Sequence, residues 1–138
     1  MSVFYDISYA LDNRLNTMTS LPPVAWENYP YEPALGTLYL RPTNIQGDTP
    51  VHTIGATGND VTTGIYQVDV FAEAGQGKNA AVVMSDNIAA HFKIDTEFSY
   101  NGRLVRIRQV NRRAGFNNAD GWYQIPVEIV YDAYSVRR

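Results

Sequence analysis

Gly64-Ile65-Tyr66-Gln67-Val68-Asp69-Val70-Phe71-Ala72-Glu73 is followed by Ala74-Gly75-Gln76-Gly77-Lys78-Asn79, and then by the run Ala80 to Lys93, which carries Ala81, Met84, Ile88 and Phe92. Across the glycine-rich turn the apolar period changes from two to between three and four, which reads as strand, turn and helix. In the strand, Tyr66, Val68, Val70 and Ala72 share the face meant for a core. Ile65, Gln67, Asp69, Phe71 and Glu73 share the other, and two carboxylates among apolar groups imply that this face is only partly buried. In the helix, Ala81, Met84, Ile88 and Phe92 form the buried stripe, with Asp86, Asn87 and Lys93 on the wet side. Gly75-Gln76-Gly77-Lys78-Asn79 has the glycines and lysine of a phosphate loop. It lacks the four-residue spacer and the Lys-Ser/Thr ending, so a connecting turn is the better reading.

Upstream, Phe4, Ile7, Leu11, Leu15 and Met18 step by three or four and predict a first amphipathic helix with Ser2 as its N-cap, closed by Leu21-Pro22-Pro23. Val24 and Trp26 open an extended segment. Thr37 to Arg41 alternate as a strand that Pro42 should stop. Residues 42 to 63 are rich in glycine, proline and threonine and read as a long loop, which in a compact domain is either functional or disordered. Ile45, Asp48, His52 and Ile54 are its candidates for contact with a protein partner or a neighbouring copy, and a floppy surface hairpin is the competing reading.

Downstream, Asn101-Gly102 between Glu97–Tyr100 and Arg103–Arg112 is a hairpin signal, because both residues tolerate positive φ. Strict alternation in the return strand puts Arg106, Arg108 and Arg112 on one face. After a loop from Arg113 to Gly121, the longest strand directs Tyr123, Ile125, Val127, Ile129, Tyr131 and Ala133 one way. Pro126 lacks a ladder donor and should place that strand at an edge or a bulge.

At 138 residues the chain makes one domain, 1–138, able to bury roughly two thirds of its unfolded surface. The expected fold is α+β: a mostly antiparallel mixed sheet of four to six strands, with the N-terminal helix and the central helix packed on one face. A net charge of −3 gives no field to attract nucleic acid or an anionic membrane. Without cysteine there is no disulfide, thiolate nucleophile or cysteine-bound zinc. The start of the chain has neither a basic leader nor a long apolar run, so a soluble protein that is not exported by ordinary routes is expected. Ten tyrosines suit either contact with other protein or strand formation.

No catalytic, cofactor or metal residues are expected. His52 and His91 lack a helical histidine partner, and Ser85, Ser99 and Ser135 lack a nucleophile elbow. Asp69 and Glu73 stand about 13 Å apart along one strand, too far for a glycosidase pair. The remaining signal is electrostatic. Asp69 and Glu73 on one strand, and Arg106, Arg108 and Arg112 on another, either pair within a monomer or meet between copies in a heterologous contact that closes a ring.

Tyr66-Gln67-Val68-Asp69-Val70-Phe71, the Gly75-x-Gly77 turn and a helix around Asp86-Asn87-Ile88 resemble the pattern of the lambda-type tail terminators of long-tailed phages. The resemblance covers most of the chain, from the first helix to the last strand, and its motifs are structural. It implies a homo-oligomeric ring, six-fold in that family, at the head-proximal end of the virion tail after assembly in the host cytoplasm. Such a ring stops polymerisation of the tail tube protein and offers a surface to a head-completion or neck protein. DNA would pass through the ring without specific binding, and no membrane is involved. A neck or head-closure protein and a tail tube subunit are the alternatives, with a small-molecule enzyme as a third.

Overall fold

The computed structural model describes residues 3–47 and 59–136. Ser2, expected to cap the first helix, lies outside them. Helix α1 spans Val3–Asn16 and buries Ile7, Ala10, Leu11 and Leu15. Phe4, expected in that stripe, is half exposed, whereas Asp6 on the flank is fully buried.

Eight elements follow in order: α1, β1 (Tyr39–Gln46), β2 (Asn59–Glu73), α2 (Asn79–His91), β3 (Glu97–Tyr100), β4 (Arg103–Arg112), the short β5 (Phe116–Asn117) and β6 (Trp122–Val136). The strands form one antiparallel sheet in the order β1-β2-β6-β4-β3, with β5 pairing on β6. Both helices pack on the same face. Ile7, Leu11 and Leu15 of α1, Ala81 and Ile88 of α2, and Tyr66, Val68, Val70, Val127, Ile129 and Tyr131 of the sheet belong to one core cluster. This is the expected α+β architecture. At Asn101 and Gly102, φ is +54° and +80°, the left-handed pair that the Asn-Gly hairpin requires.

Three strand expectations need correction. Pro42 does not end β1, which runs on to Gln46 against β2. The Leu40 N–H and C=O both face away from β2, bonding Pro23 O and Ala25 N. Two residues on, Pro42 points the same way, so its missing donor removes no ladder bond. The expected loop at 42–63 is therefore strand at both ends, with residues 48–58 outside the described region.

The strand that carries Pro126, β6, is not at an edge; it lies between β2 and β4. Pro126 fits there because the β4 pairing ends at Val127, beyond which Arg113 N donates to Pro126 O. On that side no ladder donor is required of it. The true borders of the sheet are β1 and β3.

Strand β4 breaks its alternation, because the register with β6 slips between Ile107 and Gln109. This bulge reverses which face each following residue occupies. Arg106 pairs with Asp132 on the face away from the helices, while Arg112 pairs with Val127 on the helix face. The three arginines therefore do not share one face.

Candidate assembly surfaces

Of the residues expected to carry electrostatic contacts between copies, Asp69, Arg106, Arg108 and Arg112 are engaged within the chain, though not with each other. Asp69 is not on a half-open face: it is 2% exposed. The Arg41 Nη2 atom lies 3.8 Å from its Oδ2, and Gln67 donates to its Oδ1 at 3.0 Å. The Arg41 guanidinium also lies over the Phe71 ring, 4.8 Å from its centroid. A second cluster on this face, Tyr39, Phe71 and Trp122, explains the burial; Ala25 and Tyr31 of the wrapping segment pack against it. Glu73, opposite Trp122, is half-buried. Arg106 forks onto Glu97, Arg108 sits 3.4 Å from Asp132, and Arg112 pairs with Asp86 on α2.

Ile45 is half exposed on β1; Asp48, His52 and Ile54 lie outside the described residues. His91 is structural, its Nε2 set 2.7 Å from Arg14 O and 3.2 Å from Thr17 Oγ1, which fastens the end of α2 to the end of α1. The buried Ser85 hydroxyl donates to Val82 O. Among the described residues there is no group of three or more metal-ligating side chains, and no helix is long and apolar enough to cross a membrane.

An exposed aromatic surface lies around α1, and the sequence reading missed it. Tyr5 and Tyr9, one turn apart on its outer side, stack at 6.0 Å, and Tyr9 meets Tyr100 of the border strand β3 at 4.2 Å. Both tyrosines of the helix are about 40% exposed (40% and 43%) and Phe4 beside them is 50% exposed, making an aromatic patch along the bare border. The signal was present in the Tyr5/Tyr9 spacing of four, which puts both on one helix face. Beneath the patch Asp6 is fully buried, with Arg103 Nε at 3.6 Å and Asn101 Nδ2 at 3.2 Å.

Further along α1, Tyr9, Asp12, Asn13 and Asn16 form one wall of a groove of about 420 Å³, and Trp26, Glu27 and Tyr29 form the other. The second wall is a tight turn in which Tyr29 N bonds Trp26 O and Asn28 takes a positive φ of +58°. Glu27 anchors it by accepting the Asn44 N–H at 2.9 Å. Asp12 accepts the Tyr66 hydroxyl at 2.6 Å. Burial raises the Asp12 pKa, opposed by that hydrogen bond and assisted by the charge of Glu27. Tyr66 is pushed well up by burial and by Asp12. Nearby, Tyr131 donates to Asn44 Oδ1 at 2.6 Å, and burial pushes its pKa up to about 12. These hydroxyls act as fixed donors under α1 and not as acids.

The two borders of the sheet are unlike. Along β1, the segment 23–25, bridged to Leu40 through Val24, and the Glu27 carboxylate already occupy the outward groups of Leu40 and Asn44. Strand β3 is four residues long, pairs among the described residues with β4 alone, and is flanked by the tyrosine patch.

Comparison with known proteins agrees with this geometry. Residues 6–131 match the model of a family described as phage tail terminator protein. A solved structure superposes with a TM-score of 0.70 at 22% identity, over 95% of this chain and 92% of the other, and shows the same fold. No curated protein matches the sequence.

Proposed function

The chain belongs to the phage tail terminator protein family and is a structural component of the phage tail, and from that premise we propose that it works as a ring that caps the tail tube. Identical copies close into a hexamer at the head-proximal end of the finished tube. The ring stops further addition of tube subunits and presents its other face to a head-completion or neck protein, with DNA passing through the opening unread. Assembly takes place in the host cytoplasm, before the tail joins the head. The role is geometric and non-enzymatic.

The observation that carries this reading is the extent of the family match, which runs from α1 into β6. The unlike borders of the sheet support it. A ring needs two different surfaces on each copy, because identical ones close a dimer. A bare β3 flanked by exposed tyrosines and a β1 covered by its own chain supply that asymmetry. Tyrosine is enriched where proteins meet, since a rigid ring with a polar tip covers area at low entropic cost.

The test is to add the purified protein to polymerising tube subunits. Short tubes capped at one end are expected, and tubes that lengthen as before would overturn the reading. Filaments of the protein alone would mark it as a tube subunit. Attachment to tail-free heads in preference to headless tails would mark it as a neck protein.

A further inference from the structure

Two features stand apart from the internal ion pairing. Every arginine among the described residues has a charged or carbonyl partner. The chain has two lysines, Lys78 and Lys93, and both are exposed without an ion-pair partner among the described residues. Lys78 is also locally misplaced. It is the N-cap of α2 and makes no side-chain cap bond. Helix starts favour Ser, Thr, Asp or Asn, and the positive end of the helix dipole repels an ammonium group. A residue that breaks the local rule without local compensation indicates another use. It shares its corner with Arg112 and Arg113, whose charges are met by Asp86 and Glu128, which leaves Lys78 as the cation there without a counter-charge among the described residues.

The groove of about 420 Å³ between α1 and the Trp26–Tyr29 turn has the complementary character. Two carboxylates, Asp12 and Glu27, stand among Tyr9, Trp26 and Tyr29. Aromatic faces and carboxylates together suit a primary ammonium on a flexible stem, by cation–π attraction and charge-assisted hydrogen bonds. Within one copy the two features do not reach each other. The groove lies level with Tyr66, whose hydroxyl bonds Asp12, and Lys78 follows the turn after Glu73. Seven residues of strand separate those levels, roughly 23 Å at about 3.3 Å each.

We propose that this groove is a socket for the Lys78 side chain of a second copy of the chain. Each copy then offers a basic knob beyond the Glu73 end of β2 and an acidic, aromatic socket level with its middle. That head-to-tail contact repeats until the rotation closes. The inference rests on the ring reading above and assigns residues to its subunit contact.

The test uses the full chain, with mass photometry for assembly and circular dichroism for folding. Lys78→Glu and Glu27→Lys should each weaken ring formation by about tenfold or more, the scale of a close interfacial charge pair. The double exchange, Lys78→Glu with Glu27→Lys, should restore much of it. Lys93→Glu should assemble as the natural protein does. Glu27→Gln keeps an acceptor for the Asn44 N–H and serves if Glu27→Lys does not fold; it should also weaken assembly. Rings that form normally with folded Lys78→Glu would overturn the socket while leaving the ring reading intact. So would a Lys93→Glu loss equal to that of Lys78→Glu, or a double exchange no better than either single change. Natural protein that never assembles would overturn both.

Discussion

Gly64 shows how a single position limits the sheet. It lies mid-strand with Gln46 on one side and Tyr131 on the other. A Cβ there would stand 2.6 Å from Tyr131 Oη and 2.9 Å from Ile45 O. The tyrosine is fully buried with its hydroxyl committed to Asn44, and the second atom is backbone, so neither yields easily. Gly64→Ala should therefore cost about 1–3 kcal/mol, the usual scale of overpacking, read as a lower urea midpoint at unchanged slope. An unaltered midpoint would show that the sheet can open there. Asp12 gives a pH signature. Its pKa is raised above the ordinary 3.8 by burial, so the folded state prefers the protonated carboxyl. That preference contributes fully below 3.8 and fades as pH climbs through the raised value. The natural protein should consequently lose stability relative to Asp12→Asn between acid and neutral pH, since the amide still accepts from Tyr66. Urea midpoints of the two proteins that keep a constant difference over this range would contradict the assignment.

At the scale of elements, α1 is clamped to the β3–β4 hairpin through Asp6, Asn101 and Arg103. Asp6 has no exposure and the Arg103 side chain only 13%, so Arg103→Ala leaves a buried carboxylate without its cation. Breaking such a pair costs about 3–5 kcal/mol. Arg106–Glu97 looks better by distance, at 2.7 Å, yet both side chains are more than 40% exposed (47% and 43%). Arg106→Ala should cost far less than Arg103→Ala, because water screens the pair and competes for it. Chemical denaturation of the two variants checks the ordering, and equal losses would contradict it.

The same scale shows what could be read without coordinates. Strands β2 and β6, helix α2 and the Asn101-Gly102 hairpin were legible because their apolar periods are clean. The bulge in β4 was also written in the sequence: the apolar residues Val105 and Ile107 are odd-numbered, whereas the next apolar residue is Val110. That change of phase marks one extra residue, and strict alternation overlooked it. Residues 43 to 46 of β1, Thr-Asn-Ile-Gln, carry almost no apolar alternation, because a border strand needs little burial. Burial of Asp69 was not legible at all. It depends on Arg41 across the strand pair and on the Tyr39–Phe71–Trp122 cluster, contacts fixed by register and not by local pattern. Of the interface candidates, Arg106, Arg108 and Arg112 were found as charged groups; the bulge hid the Asp86 partner of Arg112, whereas the Glu97 partner of Arg106 follows from the hairpin register.

For the whole molecule, function follows from which surfaces the fold leaves unmatched. Internal ion pairs engage six of the seven arginines among the described residues, so association falls to Lys78, the β3 border, the Phe4–Tyr5–Tyr9–Tyr100 patch and the groove beside α1. A ring built on them should slow hydrogen exchange in Glu97–Tyr100 relative to the single subunit, and equal exchange in both states would remove β3 from the contact. The central claim, that the protein acts by fitting identical copies onto a tube end, is tested most directly by electron microscopy of the purified protein, alone and mixed with headless tails. Closed rings in the first sample and a single cap at one end of each tail in the second are expected. Single subunits at every concentration, with tail ends left bare, would contradict it.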